Sequence, residues 1–316
     1  MKKTLIYSAF ILLLASVACN KTDSAVSEEP IRFAFATDAA TRSLVESDAM
    51  LRSTQAIKVY DDMGSTPYYI DDSAIYTSLW TFESGRTYTW RTGDHKFFAY
   101  TNANAFGTLG TDKKVTVSKT LTAAASEVDL LYSDIVTKTK AADTKITEAV
   151  EIPMNHLFAA VSVMVKNGTS NAVTVKSITA PEFKNSGSAT IDFSGTNSSV
   201  SYGTISKSGS YATGTISNLD IAAGKMADVL TAETADDYVY GLIWPQSIAA
   251  NAYTVDIEYT MGGKTFTSSV SLPAAATTWV AGYKYAYTLT INPNAIELTF
   301  TVKAWVEETE KNLIVE

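Results

Sequence analysis

Side chains capable of catalysis are scarce in this chain. It has two histidines, His95 and His156, and one cysteine, Cys19, among 316 residues. No His-Glu-x-x-His run, Cys/His cluster, Gly-x-Ser-x-Gly elbow or phosphate-cradling glycine loop is present, so zinc, nucleophilic-serine and nucleotide chemistry lack their usual residues. His95 falls in a polar run, Gly93-Asp94-His95, that reads as a turn; His156 opens the apolar run HLFAAVSVMV. Each reads as a satisfied structural histidine sooner than a metal ligand. The acid pairs Asp61-Asp62, Asp71-Asp72 and Asp236-Asp237 offer oxygen ligands of the kind calcium takes, without EF-hand spacing, and read as solvated loop acids. Paired carboxylates for glycoside hydrolysis come from distant strands, and nothing in the sequence singles out a pair. Five tryptophans and seventeen tyrosines could form a sugar platform, but buried aromatics of a β core are the plainer reading. No metal, cofactor or catalytic residue is expected.

The elements that would carry these residues are strands. Ile31, Phe33 and Phe35 alternate with Arg32, Ala34 and Ala36, the period-two pattern of a half-buried strand. Tyr253, Val255, Ile257 and Tyr259 alternate with polar residues. Gly262-Gly263 follows, then Phe266, Val270 and Leu272, which predicts a hairpin. Tyr283, Tyr285, Tyr287, Leu289 and Ile291 line another strand. Val161, Val163 and Val165 line one more, and Val173 and Val175 start the next after Asn167-Gly168. The echo of Gly203–Ser206 in Gly214–Ser217, around Ser208-Gly209, predicts a second hairpin. Helical patterning is confined to 43–52 and 121–131. The fold class is therefore all-β, with β-sandwiches expected. A division near Pro153 gives residues 31–153 and 154–316.

Charge and the N-terminus bound the setting. Net charge is −8, and no basic stripe suits nucleic acid. Lys2 and Lys3 precede a 14-residue apolar run, Leu5 to Ala18. That is shorter than the roughly 20 residues of a spanning helix and fits an export signal over 1–18. Its removal takes two lysines and no acids, giving −8 − 2 = −10. A lone cysteine cannot form an internal disulfide. Cys19 directly follows the apolar run, and the segment resembles a bacterial lipoprotein signal, with Ser16 where such signals usually carry leucine. That resemblance implies acylation of Cys19 and a lipid anchor in the outer membrane; a plain secretory signal is the alternative. Residues 19–30, polar and ending in Pro30, read as a tether.

Several segments, in order, resemble the fimbrillin (Mfa-like) family, the type V pilins of Bacteroidota. They are IRFAFATDAATRS (31–43), HKFFAYTNAN (95–104), VDLLYS (128–133), EIPMNHLFAAVSVMV (151–165), WVAGYKYAYTLTI (279–291) and IELTFTVKAWVEE (296–308). The resemblance implies two tandem transthyretin-like Greek-key sandwiches and a lipidated precursor at the cell surface, in the fimbrium. It implies a processing protease cutting after arginine and partners that are other pilin subunits. Arg42 and Arg52 are then the candidate cleavage sites; otherwise they are ordinary surface arginines. Ile31, Phe33 and Phe35 form the strand to be displaced. Within 296–316, Ile296, Leu298, Phe300, Val302 and Ala304 form a donor strand, or else an internal strand of their own domain. The expected function is a structural fimbrial subunit serving adhesion or biofilm formation. The alternatives are a tip adhesin or monomeric surface lipoprotein that binds glycans or host proteins, and a secreted glycan-processing enzyme. Asp23-Ser24-Ala25 and Asp72-Ser73-Ala74 are also similar to a Bacteroidota O-glycosylation sequon.

Overall fold

The computed structural model describes residues 29–36, 56–101, 103–122, 127–179, 184–208, 218–228, 233–235, 240–247, 254–271, 278–293 and 296–304. Within these, 23 strands and a single 3-10 turn at Ala103–Ala105 account for the regular structure. Alternating β-branched and aromatic residues favour this outcome, because they pack well on a pleated surface. The first half supplies β1 (Phe33–Ala36), β2 (Ile57–Asp62), β3 (Ile70–Tyr76), β4 (Trp80–Phe82), β5 (Gly93–Thr101), β6 (Lys114–Thr120), β7 (Leu131–Ser133), β8 (Val136–Lys140) and β9 (Val150–His156). Next come β10 (Ala159–Asn167), β11 (Val173–Thr179), β12 (Ser186–Asp192), β13 (Ser199–Tyr202), β14 (Leu219–Ile221), β15 (Met226–Asp228) and β16 (Glu233–Ala235). The remainder are β17 (Gly241–Ile243), β18 (Gln246–Ser247), β19 (Thr254–Met261), β20 (Lys264–Ser271), β21 (Thr278–Trp279), β22 (Tyr283–Ile291) and β23 (Ile296–Ala304).

An eight-stranded sheet runs β1-β9-β7-β5-β2-β3-β4, with β8 also on β5. It rolls over on itself, because residues from its two edges share one core: Ile31, Phe33 and Phe35 lie with Ile57, Ile70, Trp90, Phe97, Val150 and Ile152. In the second half, one sheet runs β16-β15-β10-β22-β23 with β17 on β10, and another runs β14-β11-β19-β20. Their apolar faces meet, with Val161, Val163 and Val165 in the same buried cluster as Val175, Ile257 and Tyr259. A third, small sheet joins the halves: β6 pairs antiparallel with β12 from Lys114↔Asp192 to Thr120↔Ser186. The chain passes from the rolled sheet to the second half between β9 and β10, through buried Leu157 and Phe158.

The hairpin at Gly262-Gly263 forms as expected. β19 and β20 pair from Thr254↔Ser271 to Met261↔Lys264. Both glycines have positive φ, 59° and 77°, the two-residue turn that matches strand twist and that side chains resist. Four expectations change. Leu121, Thr122 and 127–130 are not helical, and Leu131 starts β7, because Leu121, Leu130 and Leu131 are each buried by neighbouring strands. Gly203–Ser206 is not a hairpin strand; only Ser206 makes a bridge, to Ser186, and Gly214–Ser217 lies outside the described residues. His95 is no turn residue: Gly93–Thr101 is one continuous strand and His95 is wholly buried. Asp61, Asp62 and Asp72 are not solvated loop acids; they sit buried in β2 and β3, each with a polar partner, while Asp71 stays exposed. Helix 43–52, Asp236-Asp237 and Asp23-Ser24-Ala25 lie outside the described residues. Asp72-Ser73-Ala74 is inside β3, with Asp72 and Ala74 buried.

Candidate functional site

β1 lies at one edge of the rolled sheet and pairs parallel with β9, over Phe33↔Val150, Ala34↔Glu151, Phe35↔Ile152 and Ala36↔Pro153. Four pairs make a short ladder, and Pro153 has no N–H to add to it. Upstream, the segment crosses the 88–90 loop: Ile31 N donates to Tyr88 O (2.8 Å) and Trp90 N to Glu29 O (2.9 Å). Glu29 also accepts from Ile146 N (2.8 Å). Past Ile31, β1 is held by rings from β4, at the opposite end of the sheet, and from the central β5. Phe35 meets Trp80 edge-on at 4.7 Å; Phe33 meets Phe82 at 5.8 Å and Phe97 at 5.4 Å, also edge-on. Phe35 is 2% exposed. β1 is therefore a lid strand that completes an aromatic core.

Two polar devices hold the walls of that core. His95 stacks on Phe97 (5.6 Å) and meets Trp90 edge-on (5.0 Å). Its Nε2 donates to the Arg91 carbonyl (2.8 Å), and Nδ1 shares a proton with Asp61 Oδ2 (2.6 Å). Burial would lower the His95 pKa; the bonds to Asp61 and Arg91 and the nearby carboxylate outweigh it, and the net shift is upward. Burial raises Asp61 as well, with the bond to His95 opposing. At the far wall, Asp72 accepts from Ser73 N (2.8 Å), Ser84 Oγ and Tyr88 OH (3.2 Å). That network fixes the turn after Phe82 and so the position of Tyr88. His156, near-buried at the end of β9, bonds Asp129 Oδ2 through Nδ1 (2.7 Å). Among the described residues, no group of three or more His, Cys, Asp or Glu side chains could hold a metal.

β23 forms the edge of the second-half sheet. It pairs antiparallel with β22 over nine positions, from Tyr283↔Ala304 to Ile291↔Ile296. Leu298, Phe300 and Val302 stand opposite Leu289, Tyr287 and Tyr285. β22 itself is buried on both faces and is flanked on its other edge by β10. Trp279 Nε1 donates to Tyr287 OH (2.8 Å), and Val280 N to Tyr285 OH (2.8 Å). Both strands singled out from sequence thus lie at sheet edges, on different sheets. Cys19, Arg42, Arg52 and 305–316 lie outside the described residues. Sequence reading missed the walls: Trp80-Thr-Phe82 alternates, but nothing local ties it to β1, 44 or more positions earlier. It missed Glu29 and the Asp61–His95 pair for the same reason.

These features define an all-β protein whose short N-terminal edge strand plugs an aromatic groove. The model of the fimbrillin-like family matches residues 41–305, and the chain belongs to that family. Two solved structures share its fold. A candidate cell adhesion protein from Bacteroides uniformis is 20% identical, with a TM-score of 0.50 over 87% of this chain and 99% of that one. Another, from Bacteroides ovatus, is 16% identical, with a TM-score of 0.54 over 89% and 99%. No curated protein matches the chain.

Phe35→Ala should remove about 3–5 kcal/mol of stability, read as a lower urea midpoint. An unchanged midpoint would mean that Phe35 is not part of the cooperative core. Stability should also fall with pH. The His95 contribution is complete below its ordinary pKa of 6.5 and lost as pH rises through its raised folded value. The raised Asp61 pKa acts in the same direction from 3.8 upward. Urea midpoints measured from pH 6 to pH 9 should therefore decline, and the Asp61→Asn/His95→Gln double variant should flatten the slope.

Proposed function

We propose that this chain is a structural subunit of a surface fimbria, assembled by proteolysis-triggered strand exchange and serving adhesion or biofilm formation. Membership of the fimbrillin-like family and its likeness in fold to candidate cell adhesion proteins support a fimbrial, adhesive role at the cell surface. The observation that carries the exchange is the placement of β1. It is an edge strand with a four-pair ladder, yet together with Ile31 just before it the segment supplies three large side chains to the core. At about 1.5–3 kcal/mol for each buried side chain, Ile31, Phe33 and Phe35 contribute roughly 5–9 kcal/mol. That rivals the about 5–15 kcal/mol stability of a whole domain. While covalently attached, β1 occupies its groove at high effective concentration; once cut, it is a short dissociable peptide. The vacated groove then exposes apolar rings and one unpaired side of β9, a template for another strand.

In this reading, Cys19 carries the lipid anchor that delivers the precursor to the outer membrane after removal of 1–18. A protease of arginine specificity cuts at Arg42 or Arg52. Residues 31–153 and 154–316 act as two tandem transthyretin-like sandwiches. The 296–316 segment, with Ile296, Leu298, Phe300, Val302 and Ala304, enters the groove of a neighbouring subunit. No catalytic step belongs to the chain itself.

Purified precursor treated with an arginine-specific protease should lose its N-terminal segment and form SDS-resistant oligomers. The Arg42→Ala/Arg52→Ala variant should stay monomeric. Clean cleavage at either arginine that leaves a lasting monomer would overturn the assembly role and favour a monomeric surface adhesin.

A further inference from the structure

The segment that leads into β1 is clamped by a loop, and that loop is positioned by a buried imidazole. Pro30 bridges to Thr89, Ile31 N donates to Tyr88 O (2.8 Å) and Trp90 N donates to Glu29 O (2.9 Å). Two side chains place the loop. Tyr69 OH donates to Thr89 O (2.7 Å) and accepts from Thr89 N (3.2 Å). His95 Nε2 meets the Arg91 carbonyl (2.8 Å), one residue past the clamp. We infer that Asp61 and His95 form a proton-operated latch: while the pair holds two protons the 88–91 loop grips residues 29–31, and loss of one proton at alkaline pH loosens that grip and leaves the rest of the rolled sheet folded. The latch belongs to the docked chain alone, whether or not a second strand later takes the seat of β1.

The proton count follows from what faces the ring. His95 is wholly buried. Its Nδ1 lies 2.6 Å from Asp61 Oδ2, and its Nε2 faces a peptide carbonyl, which has no proton to give. Two hydrogens must therefore lie between the ring and its partners. An imidazolium beside a carboxylate supplies both, and so does a neutral ring beside a carboxylic acid. With one hydrogen fewer, the neutral ring has a single N–H, and no tautomer satisfies Asp61 and Arg91 together. A lone pair is then left facing an oxygen. The bond to the ionised carboxylate is the stronger of the two, so the Arg91 contact is the one that fails. The pair would also carry a net negative charge beside Trp90 and Phe97, where an uncompensated charge is unfavourable.

The surrounding groups set the sign. The Asp61 carboxylate favours the protonated ring, and the Arg91 guanidinium, which lies over the Tyr69 ring at 3.9 Å, opposes it. Asp62, next in β2, helps Asp61 to keep a proton. The Tyr69 phenol stands edge-on to His95 at 6.2 Å. Lys138, opposite His95 on β8, is exposed, and Asp94 and Lys96 take the other face of β5. The grip is complete below the ordinary histidine pKa of 6.5 and is lost as pH rises through the raised folded value. Release stays local because few bonds are at risk. β2 keeps its ladders to β3 and β5 on both sides, whereas two backbone bonds tie residues 29–31 to the loop.

Nitrogen NMR of the His95 ring, combined with amide hydrogen exchange on the full chain from pH 6 to pH 9, tests the latch. The ring nitrogens should report loss of one proton within that range. With the same midpoint, protection factors of the Ile31 and Trp90 amides, corrected for the intrinsic pH dependence of exchange, should fall about tenfold or more. Val59 and Tyr60, in the central β2, should keep theirs. Tyr69→Phe keeps the ring and removes the hydroxyl that holds Thr89, so it should lower protection of Ile31 and Trp90 already at pH 6. A His95 that keeps both protons to pH 9, or that loses one while Ile31 and Trp90 stay protected, would overturn the latch. An equal fall at Val59 and Tyr60 would mark general unfolding and overturn it too. Unchanged protection in Tyr69→Phe would show that the 88–91 loop is not the clamp.

Discussion

The contacts of Phe35 with Trp80 and of Phe33 with Phe82 join the first strand of a sheet to the last. A sheet that closes as a barrel satisfies both edges with backbone hydrogen bonds and has no strand to spare. This sheet rolls without that closure. Beyond Ile31, β1 is tied by backbone bonds to β9 and by rings to β4. Burial of these rings contributes a large, essentially non-directional stabilisation, unlike a backbone ladder. Backbone ladders on both sides would have made β1 as permanent as β5.

The walls of this seat are held by polar groups as well as by packing. Asp61 and His95 are buried side by side, and His95 lies flat against Phe97, so the floor under Phe33 is positioned by hydrogen bonds as well as by packing. Asp72 gathers Ser73, Ser84 and Tyr88 and fixes the loop that follows Phe82. Buried ionisable groups are costly unless paired, and they add directional specificity that aliphatic contacts lack. Neither device touches β1 through its own polar atoms. Both brace the walls that flank β1.

Period-two patterning marked β1, β10, β19, β20 and β22 correctly, because each pairs an apolar stripe with clear turn residues. Patterning could not show that β1 docks on β9, more than a hundred positions later, or that β6 crosses to β12. Pairing between distant strands leaves no local trace. The polarity of His95 and of Asp61-Asp62 pointed to solvent, and here the sequence misled: each side chain is polar enough for a loop, and only its hydrogen-bond partners make burial tolerable. Residues 121–131 looked helical because their apolar residues are spaced three and four apart, yet Leu121, Leu130 and Leu131 owe their burial to neighbouring strands. For the candidate site, the two terminal ribbons were legible as ribbons, but the Trp80 and Phe82 wall against β1 was not.

Hydrogen exchange along β9 tests the central claim most directly. In the intact precursor, the amides of Val150, Glu151 and Ile152 should be protected. After cleavage past β1, before assembly, that protection should fall while β10 and β22 keep theirs, and it should return in the polymer. Protection of β9 that persists after β1 has gone, or loss of protection throughout the rolled sheet, would contradict an edge strand that leaves and is replaced.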